Sequence, residues 1–554
     1  MVSVRATRSK SKHPQPPTRN DPPAPSKKEL ALEQRRKAKA RKELIQSFLS
    51  AGIFALVIAI ALFFVKDYKI AVAGGGGILV TILAYKYPVY ALWAFFIYMP
   101  FAGTVTYGLF GGSAVFQLAK DGFFIPAFVA LARQITKERN PLILPGSLKT
   151  PLLILVAICG ILFLLTNVPQ HLEGKDKPIF MGIIGFKALL GYAPLIPCVY
   201  YMLRNKRELL WFVRLHVLLT IICCFLGIVQ YMMLSSGICQ GTDHLTGDDL
   251  FKATIEYRCF IGGSLVFSPS QNTIRLPGTF VAPWQWAWFL IGNTFFTFAT
   301  AFGDPSLLWK ISGFLGLLLV VVNSVISGQR IALFLVPVLL ILLLVLTGQI
   351  SKPKQFVGIV GGLAVLILLA SILFPDIVQE RIDSAVSRWN ASPPTDFIAH
   401  QFEFTTKGQS GFLGKGLGRA TNAARMFGNA ALIETYYPKL LYEMGPLGVI
   451  SFLGVVTTIT IATFKTAYRS VKDDKLRTIA KSFWVFILFI SYQTYYYPLD
   501  VDPVAVYYWA VVGLVLKIPE IDLEERMKEK GIDIPTRPKD RKKLIKQLTK
   551  EKIL

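Results

Sequence analysis

GFLGKGLGRATNAARMFGNAALIETYYPKLLYEMGPLG, residues 411–448, closes the longest polar interruption in the chain, a segment from about Pro375 to Gly445 flanked by apolar runs. It combines a glycine-spaced turn (Gly414, Gly416, Gly418), the bases Lys415, Arg419 and Arg425, and two acids, Glu434 and Glu443, at the mouth of a hydrophobic segment. A polar stretch between two apolar runs reads as a loop between membrane spans. Any chemistry is expected here.

Composition sets the class. Of 554 residues, 53% are hydrophobic and 17% charged, and the mean hydropathy is +0.49. A soluble domain carries roughly a quarter charged residues, so the expectation is an all-α polytopic membrane protein. A helix crosses the hydrocarbon because it satisfies its own backbone hydrogen bonds there. The net charge of +26 lies largely in tails and short loops. It therefore sets orientation and meets anionic lipid, and nucleic acid is not an expected partner.

The apolar runs give about fourteen candidate spans, with about twelve as the lower count. They fall near 46–65, 70–85, 88–104, 116–134, 151–168, 180–203, 208–235, 284–302, 306–328, 331–348, 356–374, 445–464, 482–497 and 503–518. No two matching halves with paired broken helices stand out. With the N-terminus inside, the short basic connections, such as RNKRE (204–208) and SKPKQ (351–355), land in the cytoplasm. Both termini are then cytoplasmic, in an inner (plasma) membrane protein, and 236–283 and 375–444 become outer loops, the latter between the eleventh and twelfth spans. Residues 1–45 form a basic tail, disordered and then helical, 46–518 the transmembrane domain, and 519–554 a charged tail. A long basic region without a short apolar core and cleavage site makes the first span a signal anchor.

Cys239 and Cys259 share the outer loop 236–283, where pairing and free thiols both remain open. The other cysteines lie within spans, and the five histidines show no ligand spacing, so neither metal nor cofactor is expected. Two arginines stand at span ends on the outer side. Arg275 lies in NTIRLPGTFVAPWQWAWFL (272–290) and Arg330 in NSVISGQRIALF (323–334). Each reads as an interfacial snorkelling residue or as half of an anion clamp, since a guanidinium binds phosphate oxygens bidentately and keeps its charge. Ile377, Ile382, Val386 and Trp389 recur at helical spacing, which predicts an amphipathic surface helix. The glycine turn lacks the strand–turn–helix context and Lys-Ser/Thr ending of a nucleotide loop.

The order of features resembles the O-antigen ligase and Wzy-type polysaccharide polymerase superfamily over roughly residues 90–515. GFKALLGYAPLIPCVYYML (185–203) resembles its lysine-bearing middle span, and RLPGTFVAPWQWAWFL (275–290) its arginine–glycine–threonine–phenylalanine segment. SGQRIALF resembles its serine–arginine turn, GKGLGRAT (414–421) its glycine turn, and ETYYPKLLYEMGPLG (434–448) the block that re-enters the membrane. The resemblance implies a GT-C-like helical fold and metal-independent transfer of glycan from an undecaprenyl-pyrophosphate-linked oligosaccharide on the outer face. It implies a polysaccharide acceptor, with flippase and chain-length-control proteins as partners. Ligases of the family have a His-Asn-x-x-Leu block ending in Glu-x-Gly. Glu434 stands in place of that histidine, which favours polymerisation of an exopolysaccharide or O-antigen-like chain. Ligase-type transfer to a lipid or protein, or transport as by a flippase, are the alternatives.

Such transfer needs charge stabilisation on the leaving pyrophosphate and a base for the acceptor hydroxyl. Arg275 and Arg330 suit the first role and Glu434 the second, because partial burial at the lipid boundary tunes a carboxylate toward base catalysis. Lys187, Arg388, Lys415, Arg419 and Tyr437 are the candidate substrate-binding residues. Their bland readings are helix-end cations and an interfacial aromatic. Glu443 reads as structural.

Overall fold

The computed structural model describes residues 27–65, 68–112, 119–172, 174, 176–247, 257–259, 261–269, 273–351, 392–407 and 411–532, with scattered positions between 361 and 390. The predicted span 356–374 and the two chain ends therefore lie outside the described residues or nearly so. Elsewhere each predicted span overlaps helix, although the one expected at 482–497 is helix only from Asp474 to Tyr492 and non-helical over 493–497, and the only sheet among the described residues is one two-stranded hairpin.

The chain divides into two units, residues 1–79 and 80–554. In the first, α1 (Lys27–Val65) runs unbroken from the basic stretch into the predicted first span. Arg35, Arg36, Lys39, Arg41 and Lys42 are exposed on its polar part, and Ile53, Phe54, Leu56 and Val57 on its apolar part. Helix α2 (Tyr68–Lys86) follows, and its Gly75 lies against Ala59 of α1, where an added Cβ would fall 2.7 Å from the alanine methyl. Close approach through small residues is how helices associate in lipid, where burial against a neighbour gains little over burial in acyl chains.

The second unit contains α3 (Pro88–Tyr98), α4 (Ala119–Lys137), α5 (Lys149–Leu162), α6 (Val168–Leu172), α7 (Pro178–Leu190), α8 (Leu195–Met202) and α9 (Lys206–Ser235). The hairpin β1 (Val266–Ser268) and β2 (Thr273–Arg275) comes next. Then follow α10 (Pro283–Gly303), α11 (Leu307–Ile326), α12 (Arg330–Leu346), α13 (Pro394–Lys407), α14 (Tyr436–Lys465), α15 (Asp474–Tyr492) and α16 (Val504–Glu529). Helix α10 is apolar all round, as its sequence PWQWAWFLIGNTFFTFATAFG demands, and is buried along nearly its whole length. It packs against α9, α11, α12 and α15. Helix α16 is buried from Val504 and continues past the boundary expected at 518, with Ile521, Asp522 and Met527 still buried.

Seven of the described helices are long and apolar enough to cross a membrane, or eight if the bent pair α7–α8 counts as one span. That pair is bent by 41° at Gly191–Pro194, and α14 is interrupted by Gly445 with φ 71°. The bend at Gly191–Pro194 falls inside the predicted span 180–203, because a break of four residues hardly alters an apolar run, while Gly445 sits at the predicted start of the span 445–464. In the loop 236–283, Cys239 and Cys259 form a disulfide with Cα atoms 5.4 Å apart, beside a small core of Leu265 and Leu276.

A buried ion pair ties α14 to the connection between α15 and α16. Lys439 Nζ lies 2.6 Å from an Asp500 carboxylate oxygen, with side chains only 3% and 7% exposed. Removing one partner leaves a buried charge alone, so Asp500→Ala is expected to cost about 3–5 kcal/mol. The double variant Asp500→Ala/Lys439→Met should recover much of it. Thermal unfolding of the purified protein reads both.

Candidate functional site

Two elements distant in sequence place the arginines together. Arg275 ends β2, paired with Val266, and the next residue, the buried Leu276, donates its N–H to the Ser327 carbonyl at 3.0 Å. Gly328 has φ 67°, and a Cβ there would sit 3.1 Å from the Ile274 carbonyl oxygen and 3.5 Å from Arg275 Cα. The Ser327–Gln329 turn is therefore laid against the strand, and α12 starts from it with Arg330 as its first residue. A cation at a helix N-terminus opposes the helix dipole, and the same terminus favours an anion. Gly328→Ala is expected to separate the two arginines rather than unfold the bundle, so activity should fall more than melting temperature.

Arg275 and Arg330 line one cavity of about 410 Å³. Ser268, Gln493, Tyr495 and Tyr496 share its wall, with Phe334 and Ile398 on the apolar side. Burial pushes the Arg275 guanidinium below its ordinary value, while Tyr496 and Glu434 nearby act the other way. An arginine keeps its charge through such a shift. Its Nε is buried without a hydrogen-bond partner among the described residues. A donor left in that condition costs about 1–3 kcal/mol, which an incoming acceptor recovers.

The tyrosines are held in a tense backbone. Tyr496 and Tyr497 have φ of 58° and 34°, in the left-handed region that bulky residues avoid. Each costs on the order of 1–3 kcal/mol and persists only where surroundings over-determine it. Here the Tyr436 N–H donates to the Thr494 carbonyl at 2.6 Å, the Tyr496 N–H to the Glu434 carbonyl at 3.0 Å, and Trp288 Nε1 to the Tyr496 carbonyl at 3.2 Å. Burial pushes both phenols up to about 12. They keep their protons at working pH and can donate them in hydrogen bonds.

Glu434 lies two residues before α14, outside the helix that carries Glu443. Its N–H donates to Gln401 Oε1 of α13 at 3.0 Å. Glu434 is half-buried and does not line the cavity, but its charge acts on Arg275, Tyr496 and Tyr497. The structure thus gathers Glu434, Arg275 and Arg330 into one neighbourhood.

The remaining sequence-selected residues have other surroundings. Lys187 is ion-paired with Asp121, next to a second pair between Lys120 and Asp502. Arg419 donates to Asp176 at 2.6 Å and to Gln170 at 2.7 and 2.9 Å, and the guanidinium holds the Asp176 carboxyl below its usual range. Tyr437 is buried against Phe452, with its hydroxyl donated to the Ser491 carbonyl, and presents no free face for a sugar to stack on. Lys415 is exposed. Arg388 lies outside the described residues, as does Ile377; Ile382, Val386 and Trp389 are helical and exposed, and of these Trp389 lines the cavity of Arg275 and Arg330.

The glycine turn is a wedge. A Cβ at Gly418 would fall 2.0 Å from the Met181 carbonyl of α7, and one at Gly414 2.3 Å from the Glu443 backbone of α14. Glycine spacing there lets backbone pass between the two broken helices. Buried Glu443 secures it, accepting from Ala420 N–H at 2.7 Å and Thr421 Oγ1 at 2.9 Å. Arg419 and Tyr437 thus have partners within the protein, as Lys187 has in Asp121.

Gln493, Tyr495 and Tyr496 were not singled out from sequence. Their signal is the run QTYYYPLD (493–500), three consecutive tyrosines at the end of an apolar run. Such a run reads equally as an interfacial belt. Neither family models nor curated proteins match the chain.

Proposed function

We propose that this is a membrane glycosyltransferase of about fourteen spans, GT-C-like in architecture, with both termini cytoplasmic and the Arg275–Arg330 cavity facing outward. It takes glycan from an undecaprenyl-pyrophosphate-linked donor and extends a polysaccharide. The observation that carries the reading is the convergence of Arg275 and Arg330, from separate elements, on one cavity with Glu434 beside it. The acceptor hydroxyl oxygen bonds to the anomeric carbon as the sugar–phosphate bond breaks. Its proton passes to Glu434, directly or through one water, and the arginines take the charge on departing undecaprenyl pyrophosphate. Tyr496 is placed to donate to the same oxygens.

Reconstituted full-length protein given a radiolabelled lipid-linked oligosaccharide tests this. A ladder of longer lipid-linked glycans, with release of undecaprenyl pyrophosphate, is the expected result. Transfer to another acceptor without a ladder would mean ligation. Translocation with no bond broken would mean transport. Orientation is tested separately: the exposed residue of Lys415→Cys should react with a membrane-impermeant maleimide added to intact cells, and protection there would reverse the topology.

A further inference from the structure

A second cavity lies at the α7–α8 break. It has a volume of about 270 Å³ and is walled almost wholly by apolar side chains, including Phe128 of α4, Leu144 and Leu148 of the following connection, Leu152 of α5, Pro194 at the break, and Trp509 of α16. Proline at the break removes a backbone donor and keeps α7 and α8 from closing into one rod, which holds the space open. No ionisable side chain lines it. An apolar space of this size in a membrane protein matches hydrocarbon.

The rim supplies the selectivity. The α4–α5 connection that forms one wall carries exposed Lys137, Arg139 and Lys149, against one exposed acid, Glu138. Glu138 is already engaged by Gln134 at 3.0 Å and Asn140 at 3.2 Å. Tyr201 at the end of α8 donates to the Pro141 carbonyl at 2.7 Å, which anchors the connection beside Arg204, also exposed. Apolar depth below a basic edge is the pattern that binds an anionic headgroup with its chain inserted.

We propose that this cavity takes one acyl chain of an anionic phospholipid, phosphatidylglycerol or its like, with the phosphate on Lys149 and Arg139. The lipid fills the wedge between α4, α5 and the broken segment, and so braces α7, on which the glycine turn rests. Assignment to the cytoplasmic leaflet rests on the proposed topology; the binding does not.

Trp509 reports occupancy directly, since bromine on an acyl chain quenches only a nearby indole. The full chain is placed in phosphatidylcholine vesicles containing a minority of phosphatidylglycerol brominated along its acyl chains. The fluorescence lost on substituting Trp509→Phe defines the signal of this indole, which is only 2% exposed. Expected is strong quenching of that component by brominated phosphatidylglycerol. Quenching by brominated phosphatidylcholine at the same fraction should be several-fold weaker. Lys149→Glu, on the exposed rim, should weaken apparent binding by about fivefold or more, at about 1 kcal/mol per charge. Leu152→Phe should crowd the space and weaken quenching. The proposal is overturned if Trp509 is unquenched, if both lipids quench equally, if Lys149→Glu changes nothing, or if only an added polyisoprenoid competes. None of these readouts depends on glycosyl transfer, so failure here leaves the catalytic reading standing, and the reverse.

Discussion

Glu434→Gln is expected to lower polymer formation by roughly 100-fold or more at unchanged membrane abundance. Glutamine keeps the shape and hydrogen-bonding reach of the side chain but cannot take the acceptor proton. The fold should tolerate it: the Glu434 backbone, not the carboxylate, makes the contacts with Gln401 and Tyr496. Glu443→Gln provides the contrast. Its carboxylate is buried and holds the glycine turn through Ala420 and Thr421, so it should lose melting temperature first and keep more activity. Chain-length distribution of the polymer and thermal melts, on the same preparations, separate the two. Wild-type polymer from Glu434→Gln would move the base elsewhere. His400 and Glu403 of α13 are then next, though Glu403 is engaged by Lys407 at 2.6 Å.

The second large effect belongs to the arginines. Arg275→Gln and Arg330→Gln should each cost roughly 30- to 1,000-fold in turnover, from about 2–4 kcal/mol of stabilisation on the leaving pyrophosphate. Lysine should not restore either fully, because a point charge cannot reproduce a bidentate fork. Both side chains serve one group, so the double variant should fall short of the product of the single losses. Arg275 Nε is buried without a hydrogen-bond partner among the described residues, so removing that side chain should leave melting temperature unchanged or raise it slightly. A variant that is inactive yet no less stable marks a group kept for a ligand.

The sequence and the structure agree most where hydropathy governs. The positions of the helices follow from apolar runs, because each run of sufficient length has one economical conformation in lipid. The pairing of Cys239 with Cys259 was an open alternative, settled by the fold of the 236–283 loop. The break at Gly191–Pro194 lies inside the predicted span 180–203, where hydropathy averages over it, whereas Gly445 falls where the polar segment was expected to give way to a span, although the helix there already begins at Tyr436. The glycine turn and its cations looked like a ligand loop, yet the glycines are required by backbone close to Met181 and Glu443, and Arg419 by Asp176. Composition near a loop cannot distinguish a cation awaiting a substrate from one awaiting a carboxylate far along the chain. Arg275 and Arg330 were legible as oddities at span ends. Their common cavity was not, since it depends on Gly328 seating one turn against one strand.

The most direct test is the affinity of the full-length protein, in lipid nanodiscs, for undecaprenyl pyrophosphate. Wild type should bind it more tightly than undecaprenyl monophosphate, and Arg275→Gln and Arg330→Gln should each weaken pyrophosphate binding by at least about tenfold, a loss of about 1.4 kcal/mol. Undiminished pyrophosphate affinity in the Arg275→Gln/Arg330→Gln double variant would contradict the account.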